Sequence, residues 1–224
     1  MTIRSDSPVG AIAVEHPLST RVFHRHGIDF CCDGSKSLSE ACSSLGLPTE
    51  EIMSEIQAEL EGRSKSEGRW DGQPIPDLID HILATYHTPL WKDLPRLVDM
   101  ADTVAEVHRD KDPERLNELR GLVTDLAREL EQHMQREERV LFPLFRTGRG
   151  MEAGGPIAVM EAEHEAAGAA LRRIRELTGD YTLPPGACTT WNALWHGLEA
   201  LEVSLHEHIH LENNVLFPRA LEGS

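Results

Sequence analysis

The sequence predicts an all-α protein: a small N-terminal helical module, residues 1–61, a polar linker, 62–74, and an antiparallel four-helix bundle, 75–224. Three observations lead there. Four long segments carry apolar residues spaced alternately three and four apart, the period of helices that each bury one face. Short connections rich in glycine and proline, such as Thr147-Gly148-Arg149-Gly150 and Leu183-Pro184-Pro185-Gly186, separate the later segments and favour antiparallel neighbours. One constellation, a histidine followed at some distance by His-x-x-x-Glu and then Leu-Phe-Pro, occurs twice, with its members moved from 133 to 208 and from 137 to 212, a shift of 75 in both cases.

The N-terminal module shows helix signals of its own. Ser37-Leu38-Ser39-Glu40 has the form of a capping box, and Pro48-Thr49-Glu50-Glu51 opens a segment with Ile52, Ile56 and Leu60 at fourfold spacing. So small a core is marginal alone, which predicts that it docks or dimerises. Between its helices, Gly27-Ile28-Asp29-Phe30-Cys31-Cys32-Asp33-Gly34 reads as a turn-rich loop with adjacent cysteines. No second cysteine pair at zinc spacing follows and Cys42 stands alone, so a structural zinc site is excluded. Two readings of Cys31 and Cys32 stay open: a redox-active or metal-handling thiol pair, and loop cysteines that merely pack. Cys188, ahead of a helix start, reads as structural. The linker contains Gly62, Ser64, Ser66, Gly68, Gly72 and Pro74, and mobility there would let Cys31-Cys32 approach or leave the bundle.

Helices are predicted near 75–98, 114–144, 156–178 and 187–219. The first carries Ile75, Leu78, Ile79, Ile82, Leu83, Tyr86, His87 and Leu90 on its stripe, with Pro89 and Pro95 predicting a kink or break just past His87. The second starts near Pro113 and runs Leu116, Leu119, Val123, Leu126, Leu130, His133, Glu137, Val140 and Leu144. The third starts near Pro156 and runs Ile157, Met160, His164, Ala167, Leu171, Ile174 and Leu177. The fourth runs Trp191, Leu194, Leu198, Leu201, Leu205, His208, Glu212 and Val215. Pro143 and Pro218 follow apolar runs near helix ends.

Each stripe therefore contains a histidine, and two contain a glutamate one turn later. A carboxylate on an inner face must be neutralised, paired or metal-bound, since leaving it bare costs several kcal/mol or more. Four imidazoles and two carboxylates suit a pair of iron-like ions. The plainer alternative pairs Glu137 and Glu212 with basic neighbours and treats the histidines as ordinary core residues. His81, His196, His206 and His210 fall off the stripes and, with His16, His24 and His26, are assigned mostly to the surface. Glu129, Glu131 and Glu138 read as solvated faces, and Glu163 as either exposed or set behind the ligands. His108 follows the first helix, where it could line an access path.

Composition limits the function classes. Of 224 residues, 38 are acidic and 22 basic, a net charge of −16, which argues against nucleic acid or an anionic membrane as a general partner. No apolar run approaches the ~20 residues of a membrane-spanning helix, and Met1 to Pro17 lacks a secretory apolar region, so a soluble cytoplasmic protein is expected.

Phe30-Cys31-Cys32-Asp33-Gly34, Tyr86-His87, His133-x-x-x-Glu137, Glu163-His164 and His208-x-x-x-Glu212-Asn213-Asn214-Val215-Leu216-Phe217-Pro218 together resemble the RIC family, the ScdA- or YtfE-type bacterial di-iron proteins that repair iron centres. The resemblance spans nearly the whole chain. It implies a hemerythrin-like bundle in which His87, His133, His164 and His208 are terminal ligands and Glu137 and Glu212 bridge two iron ions per chain, alongside an oxo bridge. It further implies repair of iron–sulfur clusters or other iron centres damaged by nitric oxide or peroxide, with iron donated to apo-cluster acceptors and Cys31 and Cys32 accepting metal or engaging the recipient. Nitric oxide reduction at the metals, or sensing of dioxygen or nitric oxide, are the alternatives. Oxygen-carrying hemerythrins use five histidines, and three residues past His87 stands Leu90. Six protein ligands leave room for small exogenous molecules.

Overall fold

The computed structural model describes residues 3–60 and 69–223, and among them every regular element is helical. An isolated bridge, Pro8 to Ser37, stands apart from the helices. Residues 61–68, the last residue of the predicted module and the first part of the predicted linker, lie outside the described residues. The chain divides into two compact units, one of Met1–Ile79, Phe145–Gly154 and His206–Ser224, the other of Asp80–Leu144 and Gly155–Leu205.

In the first unit, α1 (Val9–Glu15), α2 (Ser19–Arg25), α3 (Leu38–Leu45) and α4 (Thr49–Leu60) enclose a core of Val9, Ile12, Val22, Phe23, Ile28, Phe30, Leu38, Cys42, Ile52 and Ile56. The Ser37 hydroxyl accepts from the Glu40 amide while the Glu40 carboxylate accepts from the Ser37 amide, so the capping box forms and fixes the start of α3. Gly46 ends that helix at φ 68, a left-handed position that glycine adopts without steric cost. The C-terminal segment belongs to the same unit. Arg219 there donates to the carbonyls of Trp70 at 2.9 Å and Gln73 at 2.6 Å, and the tilted rings of Phe145 and Phe217 pack with centroids 6.2 Å apart.

The second unit is a helical bundle. Its helices are α6 (Thr88–Val107), α7 (Pro113–Arg136), α9 (Gly154–Thr178) and α10 (Thr189–Leu211), the last two lying in this unit from Gly155 and up to Leu205. Leu90, Leu94, Leu97, Val104, Leu116, Leu119, Val123, Leu126, Leu130, Ile157, Met160, Leu171, Ile174, Trp191, Leu194 and Leu198 are buried, as the stripes require.

Three helices depart from regular α geometry, and each does so at a candidate ligand. α5 (Ile75–Ile82) continues through a π-helical turn, Leu83–His87, into α6; α7 passes through Glu137–Leu141 into α8 (Phe142–Arg146); α10 passes through Glu212–Leu216 into α11 (Phe217–Glu222). A proline follows each π turn at its second residue: Pro89, Pro143 and Pro218. Proline has no amide hydrogen and its ring crowds the carbonyl four residues back. A widened turn supplies an extra residue at that point, so the helix carries on. Past His87 the helix does not break, and the helices that carry Pro143 and Pro218 end at Arg146 and Glu222, within three residues of the expected ends. The same widening resets the phase of the second stripe: Val140 is 51% exposed, while Leu141, Phe142 and Phe145 turn inward.

Candidate metal centre

In the second unit the bundle brings four of the predicted residues together. His87 ends its π turn, His133 and Glu137 stand one turn apart at the end of α7, and His164 projects from α9, all of them buried. His87 Nε2 and His133 Nε2 each lie 3.3 Å from Glu137 Oε2, and His133 Nε2 lies 3.1 Å from His164 Nε2. His133, Glu137 and His164 offer ligand atoms within 4.8 Å of one another.

The outer nitrogens explain why the inner ones converge. His87 Nδ1 donates to Glu138 Oε1 at 2.9 Å, and Trp91 Nε1 donates to the same oxygen at 3.2 Å. His133 Nδ1 donates to Glu163 Oε2 at 2.8 Å, and Arg136 secures that carboxylate from the other side. Burial opposes the charge on Glu163, but the hydrogen bonds from Arg136 and His133 outweigh it and hold the carboxyl below its ordinary range. With Nδ1 of each ring bonded to an outer carboxylate, Nε2 of each faces Glu137, the atom through which a neutral imidazole offers its lone pair to a cation. Lone pairs from two imidazoles and a carboxylate directed at one point call for a cation. Imidazole with carboxylate is a donor set that suits iron.

Glu202 shows what the plainer reading of a buried glutamate looks like. In the same unit it is almost fully buried, but Arg175 Nε stands 3.1 Å from both its oxygens, and the Tyr181 hydroxyl donates to it at 2.9 Å. Around Glu137 the approaching groups are imidazoles instead.

The first unit holds the remaining predicted residues. His208 Nε2 lies 3.1 Å from Glu212 Oε1, both buried. One and two residues on, Asn213 Nδ2 donates to the Cys31 carbonyl at 3.2 Å and Asn214 Nδ2 to the same oxygen at 3.3 Å. Cys31 is buried and Cys32 half-buried, with their sulfurs 3.7 Å apart. Asp29 Oδ1 accepts from the amides of Cys31 at 3.1 Å, Cys32 at 2.9 Å and Asp33 at 3.3 Å.

Several residues had another expected place. His210 is buried, not superficial; its ring lies 5.4 Å from that of Phe30, and its Nδ1 accepts from Asn214 Nδ2 at 3.2 Å. Burial pushes it down to about 4, so it is neutral and carries its proton on Nε2. His206 also stacks edge-on against Phe30, at 6.2 Å. Glu138, read as a solvated face, orients His87. His108 is held between Cys188, at 3.2 Å, and the Trp191 ring, at 4.5 Å. Position next to a ligand was the available signal for Glu138; for His206 and His210 it was the aromatic Phe30 beside the cysteines, which needs a hydrophobic cover.

Residues 78–220 match the family described as the hemerythrin HHE cation binding domain, and residues 5–60 match ScdA_N, a domain of unknown function. The chain is 43% identical over 223 residues, covering 100% of both sequences, to the iron-sulfur cluster repair protein YtfE of Yersinia pseudotuberculosis serotype O:1b (strain IP 31758). The same identity and coverage hold for the protein of that name from Yersinia pestis (strain Pestoides F). No described helix is long and apolar enough to cross a membrane.

Proposed function

Since this chain belongs to the hemerythrin HHE family and, with its ScdA_N domain, to the YtfE-type iron–sulfur cluster repair proteins, we propose that it restores iron centres damaged by nitrosative or oxidative stress by donating iron. His87, His133, His164 and His208, with the carboxylates Glu137 and Glu212, would hold the iron, two ions per chain. The observation that supports this reading most directly is the pair of outer carboxylates, Glu138 and Glu163, which fix Nδ1 protons so that Nε2 lone pairs meet at Glu137. Structural ion pairs do not need such an arrangement.

Bound iron supplies two things: coordination positions open to nitric oxide or dioxygen, and a charge that changes with redox state. The protein supplies the rest. Buried carboxylates would hold the higher metal charge more firmly, so a one-electron cellular reductant would loosen the hold on iron and leave it as cargo for an apo-cluster acceptor. Cys31 and Cys32 stand in the half-exposed loop beside Glu212 and serve the transfer as thiols. Four free cysteines are compatible with the reducing cytoplasm, where such a donor would work.

Anaerobically purified protein should contain two irons per chain, falling to one or fewer in a Glu137→Ala, Glu212→Ala variant. Reduction in the presence of an apo-cluster acceptor should move that iron to the acceptor. A native chain with a single metal, or repair with no loss of iron, refutes the proposal; many turnovers of nitric oxide with the iron retained would point to its reduction instead.

A further inference from the structure

Asp29, Cys31 and Cys32 are gathered more tightly than a packing role requires. Their ligand atoms lie within 4.8 Å of one another, and Cys31 Sγ is 3.2 Å from Asp29 Oδ1 and 3.7 Å from Cys32 Sγ. Two thiolates bound to one tetrahedral ion at ~2.3 Å stand about 3.8 Å apart, and a thiolate and a carboxylate oxygen about 3.6 Å apart. The sulfur separation matches; the sulfur–oxygen separation is shorter because the Cys31 thiol donates a hydrogen bond to Asp29, and it would open by about 0.4 Å when a cation replaces that proton.

A disulfide is the competing use of two such sulfurs, and the backbone disfavours it. Neighbouring Cα atoms across a trans peptide are about 3.8 Å apart, below the usual 4.4–6.8 Å of a relaxed bridge. No described peptide bond is cis. The loop is also built to hold its shape. Asp29 ties three successive amides, and Asn213 and Asn214 clamp the Cys31 carbonyl. Asn214 occupies a slot bordered by two glycines, since a Cβ on either Gly10 or Gly34 would stand 2.6 Å from its Oδ1.

We propose that Asp29, Cys31 and Cys32 form a second metal site, with two thiolates and one carboxylate oxygen, for a borderline divalent cation such as ferrous iron. The site stands on the geometry of this loop; its use to catch iron released for repair rests on the function proposed above. Binding exchanges protons for metal, because each thiol gives its proton to solvent and no electron moves. In the metal-free protein, the hydrogen bond with Cys32, burial and the Asp29 charge all raise Cys31 above the ordinary thiol range. The Cys31 thiol accordingly donates to Asp29, and the cation takes the place of that proton. Asn213 and Asn214 follow Glu212 directly, so the loop is held by the turn that carries that carboxylate.

The test uses the full chain, anaerobic and reduced, titrated with Co2+. Thiolate-bound cobalt absorbs in the near ultraviolet by charge transfer, a signal that histidine and glutamate ligands do not generate. The band should saturate at one cobalt per chain, vanish in Cys31→Ser with Cys32→Ser and in Cys32→Ser alone, and need about tenfold or more cobalt in Asp29→Asn. Because Asp29 also ties the loop, circular dichroism melts check that each variant folds. Absence of the band, its survival in the double cysteine variant, or an unchanged titration in folded Asp29→Asn would overturn the site. Absence of the band in a chain whose repair still depends on the thiols would sink the site and spare the repair function. A normal band in a chain that repairs nothing would do the reverse.

Discussion

Removing the outer carboxylates should weaken metal binding without touching a ligand. Glu138→Ala frees the His87 Nδ1 proton from its acceptor at 2.9 Å, and Glu163→Ala does the same for His133 at 2.8 Å. Each ring can then rotate, and each loses the preference for the tautomer that exposes Nε2. Loss of such a partner lowers metal affinity about 10- to 100-fold, or ~1.4–2.8 kcal/mol. The side chains of Glu138 and Glu163 are 36% and 31% exposed, so solvent screens part of their charge and the lower end applies, about tenfold for each. Gln at either position keeps an acceptor but drops the charge and should fall between wild type and Ala. Trp91→Phe removes a second donor to Glu138 and leaves the imidazole bond, so it should bind as wild type does. Anaerobic competition against a chelator measures all five variants against wild type. If both Ala variants hold iron as tightly as wild type, ring orientation does not depend on these carboxylates and the convergence argument fails.

Two glycines test the packing in opposite directions. At Gly150 a Cβ would lie 2.1 Å from the Ala220 carbonyl oxygen and 2.6 Å from its carbon, backbone that no side-chain rotation can clear, so Gly150→Ala should cost about 1–3 kcal/mol or more in a thermal melt. Gly121 lies within α7 with nothing near its Cβ direction, and Gly121→Ala should stabilise by about 0.5–1 kcal/mol; equal melting temperatures for the two variants would contradict this reading. Tyr181 titrates well above its ordinary value, first because it is buried and next because the Glu202 carboxylate is close. Its stabilising effect is complete below about pH 10 and is lost as pH rises from there toward the folded value. Tyr181→Phe should therefore cost ~1 kcal/mol at neutral pH and flatten the alkaline decline, which denaturation at pH 8 to 11 would reveal.

The helical stripes were legible because burial imposes one period along a long segment. Leu116 through Leu130 follow that period and are buried. Legibility stops at the π turns. An inserted residue leaves no apolar signature, so Val140 reads as core and is not, while Phe142 and Phe145 were outside the predicted stripe. The prolines two residues beyond each turn were visible in the sequence. Their meaning was not, because an interior proline is expected to kink or break a regular helix, whereas a widened turn accommodates it. The inner residues His87, His133, Glu137 and His164 were read from spacing within one face. Glu138 and Glu163 were not, since each sits beside a candidate ligand on a face that spacing alone assigns to solvent. His210 was missed for a different reason: its cover is Phe30, far away in sequence, and helical phase carries no information about such a partner.

The duplication also shows how one turn acquired two uses. In both copies a glutamate opens the π turn, and in both a proline follows it. What differs is the residue after the glutamate. In the first copy it is Glu138, whose charge holds a histidine proton. In the second it is Asn213, followed by Asn214, neutral amides that hold the Cys31 carbonyl. A carboxylate at 213 could not donate to a carbonyl, and an amide at 138 would hold an imidazole less strongly than a charge does. The exchange of charge for amide is thus a division of labour: one copy orients His87, and the other ties the thiol loop to the backbone beside Glu212. Any change in that turn which moves Glu212 must move the Cys31 carbonyl with it or break the amide bonds.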